Sequence, residues 1–175
     1  DVAPSRGLGD VYKRQVVEKA KRASTAARIL SNMGTEDKNR ALFSMAKQVK
    51  KNKDDILEAN KLDLENAKKS GKNNAFIDRL SLDEKRINSM AEGLEKVASL
   101  PDPIGEGVKM WKRPNDLRIE KVRVPLGTIG IIYEARPNVT VDASALCLKS
   151  GNSVILRGGK EAINSNSAIY NIINR

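Results

Sequence analysis

The chain has 175 residues, 39% of them hydrophobic, which is enough to bury a core in one or two domains. Its 32 basic and 22 acidic residues leave a formal net charge of +10, which suits nucleic acid, an anionic membrane surface or a phosphorylated ligand without choosing among them. A single cysteine excludes an internal disulfide, no apolar run approaches the ~18 residues of a membrane span, and the chain does not open on a charged-then-apolar signal, so a cytoplasmic protein is expected.

Residues 1–15, "DVAPSRGLGDVYKRQ", show neither helical nor strand periodicity and no initiator methionine, and they read as a non-native leader set apart from the fold. From Val16 to about Leu100 the pattern is helical. Val16, Ala20, Ala23, Ala27 and Leu30 form one apolar stripe, and Ala41, Leu42, Met45 and Val49 form the next. Thr35, followed by Glu36 and Asp37, has the chemistry of an N-cap, Gly71 that of a helix stop, and "SLDE" (Ser81 to Glu84) the spacing of a capping box. A further helix carries Ile87, Met90, Leu94 and Val97. Lysines interleaved with acids fill the opposite faces, which is the pattern of solvated helix surfaces rather than of a groove-binding stripe.

Near Leu100 the texture changes to Pro, Gly and β-branched residues. "RPND" (Arg113 to Asp116) has turn chemistry, so a hairpin is predicted with arms at Val108 to Lys112 and Leu117 to Val124, its Trp111 serving packing. Pro125 would interrupt a central strand, and a domain boundary is placed there. Beyond it the order is strand, helix, strand, helix. "TIGIIYE" and "NSVILRG" are continuous apolar runs suited to strands covered on both faces, and "VTVDASALCLKSG" carries Val141, Ala145, Leu146 and Leu148 at helical spacing before Gly151. "KEAINSNSAIYNIINR" opens another helix with Ile163, Ile169, Ile172 and Ile173 as its apolar positions. This alternation implies a parallel sheet.

Ligands of such sheets bind where strands end and helices begin, which singles out the turns "EARPN" and "RGGKE". No G-x-G-x-x-G is present, and two adjacent glycines are weak evidence, so the pattern defines an α/β segment and leaves open whether it binds a nucleotide. A basic nucleic-acid-binding module has the charge in its favour and little else, since aromatic content is 3% and no reader motif occurs.

"VPLGTIGIIYEARPNVT" followed by "LKSGNSVILRGG" resembles the γ-glutamyl phosphate reductases (glutamate-5-semialdehyde dehydrogenases), a distant branch of the aldehyde dehydrogenase superfamily. General aldehyde dehydrogenases have a Pro-Trp-Asn turn and a Lys-Pro-x-Glu turn at these places. "ILEANKLDLENAK" (Ile56 to Lys68) resembles the family's N-terminal helices, so the likeness runs from Val16 to Arg175, under half of the family's length.

The resemblance implies an α/β fold in which N-terminal helices and a β-hairpin (residues 16–125) lead into the first part of a Rossmann-like, NADP-binding domain (126–175), truncated before the catalytic domain. It implies NADPH-dependent reduction of L-glutamyl 5-phosphate to L-glutamate 5-semialdehyde with release of phosphate, the second step of proline biosynthesis, either in a separate enzyme or in the reductase half of a bifunctional pyrroline-5-carboxylate synthase. A cysteine thiolate attacks the acyl phosphate and the resulting thioester takes hydride. A full-length homo-oligomer, association with glutamate 5-kinase, no metal, no nucleic acid and no membrane complete what it implies.

Residue by residue, the resemblance gives Asn138 the oxyanion role of a superfamily side-chain amide. The alternative use of Asn138 is to cap a helix starting at Val139. Cys147, the only thiol, sits at an apolar helical position and reads as a small buried residue, the nucleophile lying beyond this chain. Arg136 is a candidate for a substrate carboxylate or phosphate, with an ion pair to Glu134 as the preferred reading. Cofactor contacts fall to Glu134, Arg157, Gly158, Gly159 and Lys160. Two cations at Arg157 and Lys160 favour NADP(H), since superfamily members that use NAD often carry an acid at the Lys160 position, and solvated surface residues are the alternative.

Overall fold

The computed structural model describes residues 8–175, with side chains from Arg14 onward. Five helices come first: α1 (Leu8–Leu30), α2 (Thr35–Lys51), α3 (Lys53–Lys69), α4 (Asn74–Leu80) and α5 (Glu84–Ser99). Of the expected leader, residues 1–7 lie outside the described residues. Leu8 to Gln15, the rest of that stretch, are helical and continuous with α1. Propagating an existing helix needs only one further hydrogen bond per residue, so an unpatterned stretch can join it. The apolar stripe of α1 packs only at its C-terminal end, where Ala27 is buried while Val16 is 65% exposed.

Two helix starts differ from expectation. The cap of α2 is Gly34, and Thr35 is the first helical residue, its hydroxyl donating to Asp102 Oδ2 at 2.9 Å. The cap of α5 is Asp83 rather than Ser81, with Asp83 Oδ1 accepting from the Arg86 N–H at 2.6 Å. At α5 the Asp83 carboxylate takes the capping role, while α2 starts after Gly34 without a side-chain cap.

The hairpin forms as expected, β1 (Gly107–Lys112) antiparallel to β2 (Arg118–Val122), with Arg113 to Asp116 as its turn. Every β1 residue is exposed, Trp111 included at 38%, so the packing role expected for Trp111 is not what the structure shows. Next come β3 (Thr128–Ile132), α6 (Asn138–Lys149), β4 (Ser153–Arg157), a short 3-10 turn (Lys160–Ala162) and α7 (Ile163–Ile173). β3 and β4 pair in parallel with Thr128 opposite Ser153 and Ile132 opposite Arg157. Just past the end of α6, Gly151 with a φ of 68° closes the chain back so that the Asn152 N–H reaches the Cys147 carbonyl at 2.8 Å.

The strands are not covered on both faces as their apolar runs suggested: β3 alternates exposed and half-buried residues, and Ile132 is 81% exposed. A sheet of only two strands leaves both edges and much of its surface unpartnered. Leu146 and Ile163, expected on apolar helix faces, are likewise more than half exposed.

The core is built by helices from both sides of Pro125. Leu42, Ala46 and Val49 of α2, Ile56 of α3 and Ile87, Met90 and Leu94 of α5 pack with Val141 and Ala145 of α6 and Ile169 and Ile172 of α7. Buried polar groups tie the same helices together. Asn60 of α3 donates to the Leu80 carbonyl and accepts from the Leu82 N–H, fixing the α4–α5 connection, and Asp63 accepts from the Ser165 N–H and hydroxyl at the start of α7. Among the described residues no buried side-chain polar atom lacks a partner, no helix is long and apolar enough to cross a membrane, and no cluster of metal-ligating residues occurs.

Candidate active site

The two turns singled out by the alternation lie side by side, because β3 and β4 run in parallel and end at the same level. The Tyr133 N–H donates to the Arg157 carbonyl at 3.1 Å, carrying the pairing one residue past β3. Behind the turns runs a chain of side-chain hydrogen bonds that sequence reasoning missed. Tyr133 Oη lies 2.6 Å from Thr140 Oγ1, which is 3.0 Å from Asn166 Oδ1, so the first turn, α6 and α7 are joined through the buried Thr140.

After Tyr133 the chain turns through Glu134 to Pro137 and enters α6 at Asn138. Asn138 is the first helical residue, it makes no capping hydrogen bond, and its Nδ2 donates to Asp142 Oδ2 at 3.0 Å one turn along. The capping alternative for Asn138 is therefore corrected: a helix that begins one residue earlier leaves the amide no cap to make. Arg136 forms no ion pair with Glu134 among the described residues; only its backbone N–H contacts that residue, at the Glu134 carbonyl, and its guanidinium is exposed. This corrects the preferred reading of Arg136.

Arg136, Asn138 and Asp142 line one wall of an open cleft of about 690 Å³, and the opposite wall is the α4–α5 connection with the first turns of α5. That size is in the range of small-molecule sites. On the far wall Arg86 is committed, bridging to Asp78 at 2.8 Å and donating to the Ser81 carbonyl at 2.7 Å. Arg79, Lys85 and Arg136 border the same cleft and enter no ion pair among the described residues. The cleft therefore offers free cations beside an amide donor, which suits an anionic ligand. Asp78, Asp83 and Asp142 are the acids on its walls, the first two accepting hydrogen bonds from Arg86, while Asp142 faces Asn138. Asp142 is exposed by area, yet the surrounding wall removes enough water to push its carboxyl above its ordinary value, partly offset by the hydrogen bond from Asn138.

Glu134, Arg157, Gly158, Gly159 and Lys160 do not line this cleft; they form the neighbouring rim at the ends of the strands. Arg157 and Lys160 are exposed and enter no ion pair among the described residues, while Glu161 beside them is engaged by Lys72 at 3.2 Å. The space at Gly158 is filled from within. A β-carbon there would collide with the Asn166 carboxamide and lie 3.2 Å from Tyr133 Cζ. A β-carbon at Gly159 would lie 3.1 Å from Glu161 Oε2 and 3.5 Å from Glu134 Cα. Cys147 is buried within α6, its thiol pushed up by that burial, and it borders neither place.

No family model matches the chain. Over 166 residues, 95% of its length, it is 74% identical to a γ-glutamyl phosphate reductase of Clostridium kluyveri, covering 40% of that protein. It is 63% identical over 161 residues to the Clostridium acetobutylicum protein of the same name, covering 38% of it. The crystal structure of γ-glutamyl phosphate reductase from Thermotoga maritima superposes with a TM-score of 0.87 at 48% identity, over 90% of this chain and 38% of that one. An acetylating aldehyde dehydrogenase from Geobacillus thermoglucosidasius shares the fold alone, at 14% identity and a TM-score of 0.59 over 96% of this chain and 34% of that one.

Helices feeding a parallel strand pair are thus part of the aldehyde dehydrogenase fold. The chain spans about 40% of the length of the curated relatives that it matches. Over that span it is a member of the γ-glutamyl phosphate reductase family.

Proposed function

We propose that this chain forms part of an enzyme that reduces L-glutamyl 5-phosphate to L-glutamate 5-semialdehyde with NADPH, releasing phosphate, and so serves proline biosynthesis. The observation that carries the reading is the amide of Asn138, free of any capping duty, placed with Arg136 on a cleft in a chain 74% identical to a reductase of that name.

In the proposed reaction a thiolate attacks the acyl carbon, the carbonyl electrons move onto oxygen, and their return breaks the bond to the phosphate oxygen, leaving a thioester. NADPH, when bound, supplies a hydride to that thioester, and the thiolate then leaves from the second tetrahedral centre. Both centres carry an oxyanion, and Asn138 donates an N–H to it. Arg136, with Arg79 and Lys85 across the cleft, attracts the carboxylate and phosphate of the substrate. Cys147 is not the nucleophile: it is buried, its pKa is raised, and thiolate is the reactive form.

The residues present fit the 2′-phosphate of NADP(H). Arg157 at the end of β4 and Lys160 just beyond it are exposed and enter no ion pair among the described residues, and Glu161, the neighbouring acid, is bridged by Lys72. Glu134 lies against Gly159 at the same rim.

The test is Asn138→Ala in a full-length enzyme carrying this chain, assayed by loss of NADPH absorbance with γ-glutamyl phosphate. A fall in kcat of roughly 10²- to 10³-fold, with cofactor affinity little changed, is expected for the loss of one oxyanion donor. An unchanged kcat would overturn the role of Asn138.

A further inference from the structure

We infer that Asp142 is a positioning residue for Asn138, fixing which end of the Asn138 amide is presented to the cleft. The inference rests on the oxyanion reading of Asn138 given above.

Asn138 and Asp142 are one helical turn apart at the start of α6, and Asn138 Nδ2 donates to Asp142 Oδ2 at 3.0 Å. A carboxylate has only acceptors, so it is satisfied by the NH₂ end of a carboxamide and repelled by the oxygen end. An oxyanion makes the same demand. With the amide inverted, Asn138 would present oxygen lone pairs both to Asp142 and to the developing charge. The NH₂ group has two N–H bonds, and Asp142 takes one, which leaves the second for the substrate while the group is held in the useful sense. No cap competes for the amide, because Asn138 makes no capping hydrogen bond.

The device works only while Asp142 is ionised. A protonated carboxyl can donate to Asn138 Oδ1, and the inverted amide is then tolerated. Partial desolvation on the cleft wall raises the pKa of Asp142, which brings this loss nearer to neutral pH than for a fully solvated carboxylate. The other ionisable groups on the cleft are Asp78, Arg79, Asp83, Lys85 and Arg86 from α4, α5 and their connection, and Arg136 from the turn before α6. Asp78 and Asp83 accept from Arg86, and the Asn138 amide donates to Asp142 rather than to either of them.

The experiment compares Asp142→Asn, Asp142→Glu and Asn138→Ala in the full-length enzyme, measuring kcat and KM between about pH 5 and pH 8 together with thermal midpoints. Asp142→Asn, nearly isosteric but able to present donor or acceptor, is expected to lower kcat roughly 10-fold or more, with KM and the midpoint little moved. It should also remove the Asp142 contribution to the acid limb of the kcat profile. Asp142→Glu, which keeps an acceptor-only group, should retain most of kcat, and Asp142→Asn should add little to Asn138→Ala. Wild-type kcat in Asp142→Asn beside a large loss in Asn138→Ala would overturn the role of Asp142 alone. Equal losses in the Asn and Glu variants would also overturn it. Wild-type kcat in Asn138→Ala would sink the oxyanion reading and the positioning role together.

Discussion

The carboxamide of Asn166 on α7 occupies the space that a side chain at Gly158 would need, and the ring of Tyr133 closes the same space from the other turn. A side chain at Gly158 would therefore have to displace the Asn166 carboxamide, independently of any cofactor. Asn166 is in turn held by Thr140, so the first turn of the site and both flanking helices share one hydrogen-bonded support against which Gly158 of the second turn packs.

Gly158→Ala is accordingly expected to destabilise the chain by about 1–3 kcal/mol, the usual cost of forcing a group into filled space. Asn166→Ala should relieve part of that cost, so the two changes will be non-additive in urea unfolding. A Gly158→Ala protein of unchanged stability would return the glycine to a role in cofactor approach alone.

How much of this was legible in the sequence depends on the range of the interaction. The turns "EARPN" and "RGGKE" follow from strand and helix periodicity, and the structure places them together as a parallel pair requires. The caps went astray because chemistry within four residues fits more than one choice. Asp83 is as good an acceptor as Ser81, and the hydroxyl of Thr35 is claimed by Asp102, 67 residues away. The Tyr133–Thr140–Asn166 chain has no periodic signature at all. Asp142 did leave a signal, a carboxylate four residues after Asn138 in "NVTVD", and it becomes meaningful once the helix is seen to begin at Asn138 itself. The strands read as doubly covered because their composition answers to a larger sheet than the two strands described.

The chain as it stands is expected to show no NADPH-dependent reduction of γ-glutamyl phosphate and no phosphate-dependent oxidation of the semialdehyde. Its one thiol is buried in α6, away from the cleft, with its pKa raised by that burial. Cys147 should also react slowly with a thiol reagent until the chain is unfolded. Turnover abolished by Cys147→Ala would overturn this reading.

Acid should release one long-range tie. Burial opposes the charge on Asp102, but the Ile104 N–H, Lys38 and Thr35 outweigh it and hold its carboxyl below the ordinary value. Its folded pKa is thus below the unfolded one, so the stability it contributes is present above the unfolded value of about 3.9 and is lost as pH falls through the folded value. Asp102→Asn strands the buried Lys38, whose Nζ lies 2.9 Å from Asp102 Oδ2, and is expected to cost about 3 kcal/mol near neutrality. Measured by urea unfolding, the gap between variant and wild type should narrow as pH is taken to about 3. A gap that stays constant would remove Asp102 from the acid response.

Cofactor choice can be tested at the rim. Arg157 and Lys160 are exposed and enter no ion pair among the described residues, and Glu161 is already neutralised by Lys72, so the local field beside the end of β4 is positive. A lysine in the first turn before a helix also opposes the helix dipole, a placement that an anionic ligand would compensate. In a full-length enzyme carrying this chain, Lys160→Glu should raise KM for NADPH much more than KM for NADH, because only the former brings a 2′-phosphate to the new carboxylate. The preference that remains should depend less on salt, since one screened attraction has been removed. Lys160→Gln, which deletes the charge without reversing it, should fall between the two. Equal changes in KM for both cofactors would take Lys160 out of the site and leave the preference to Arg157.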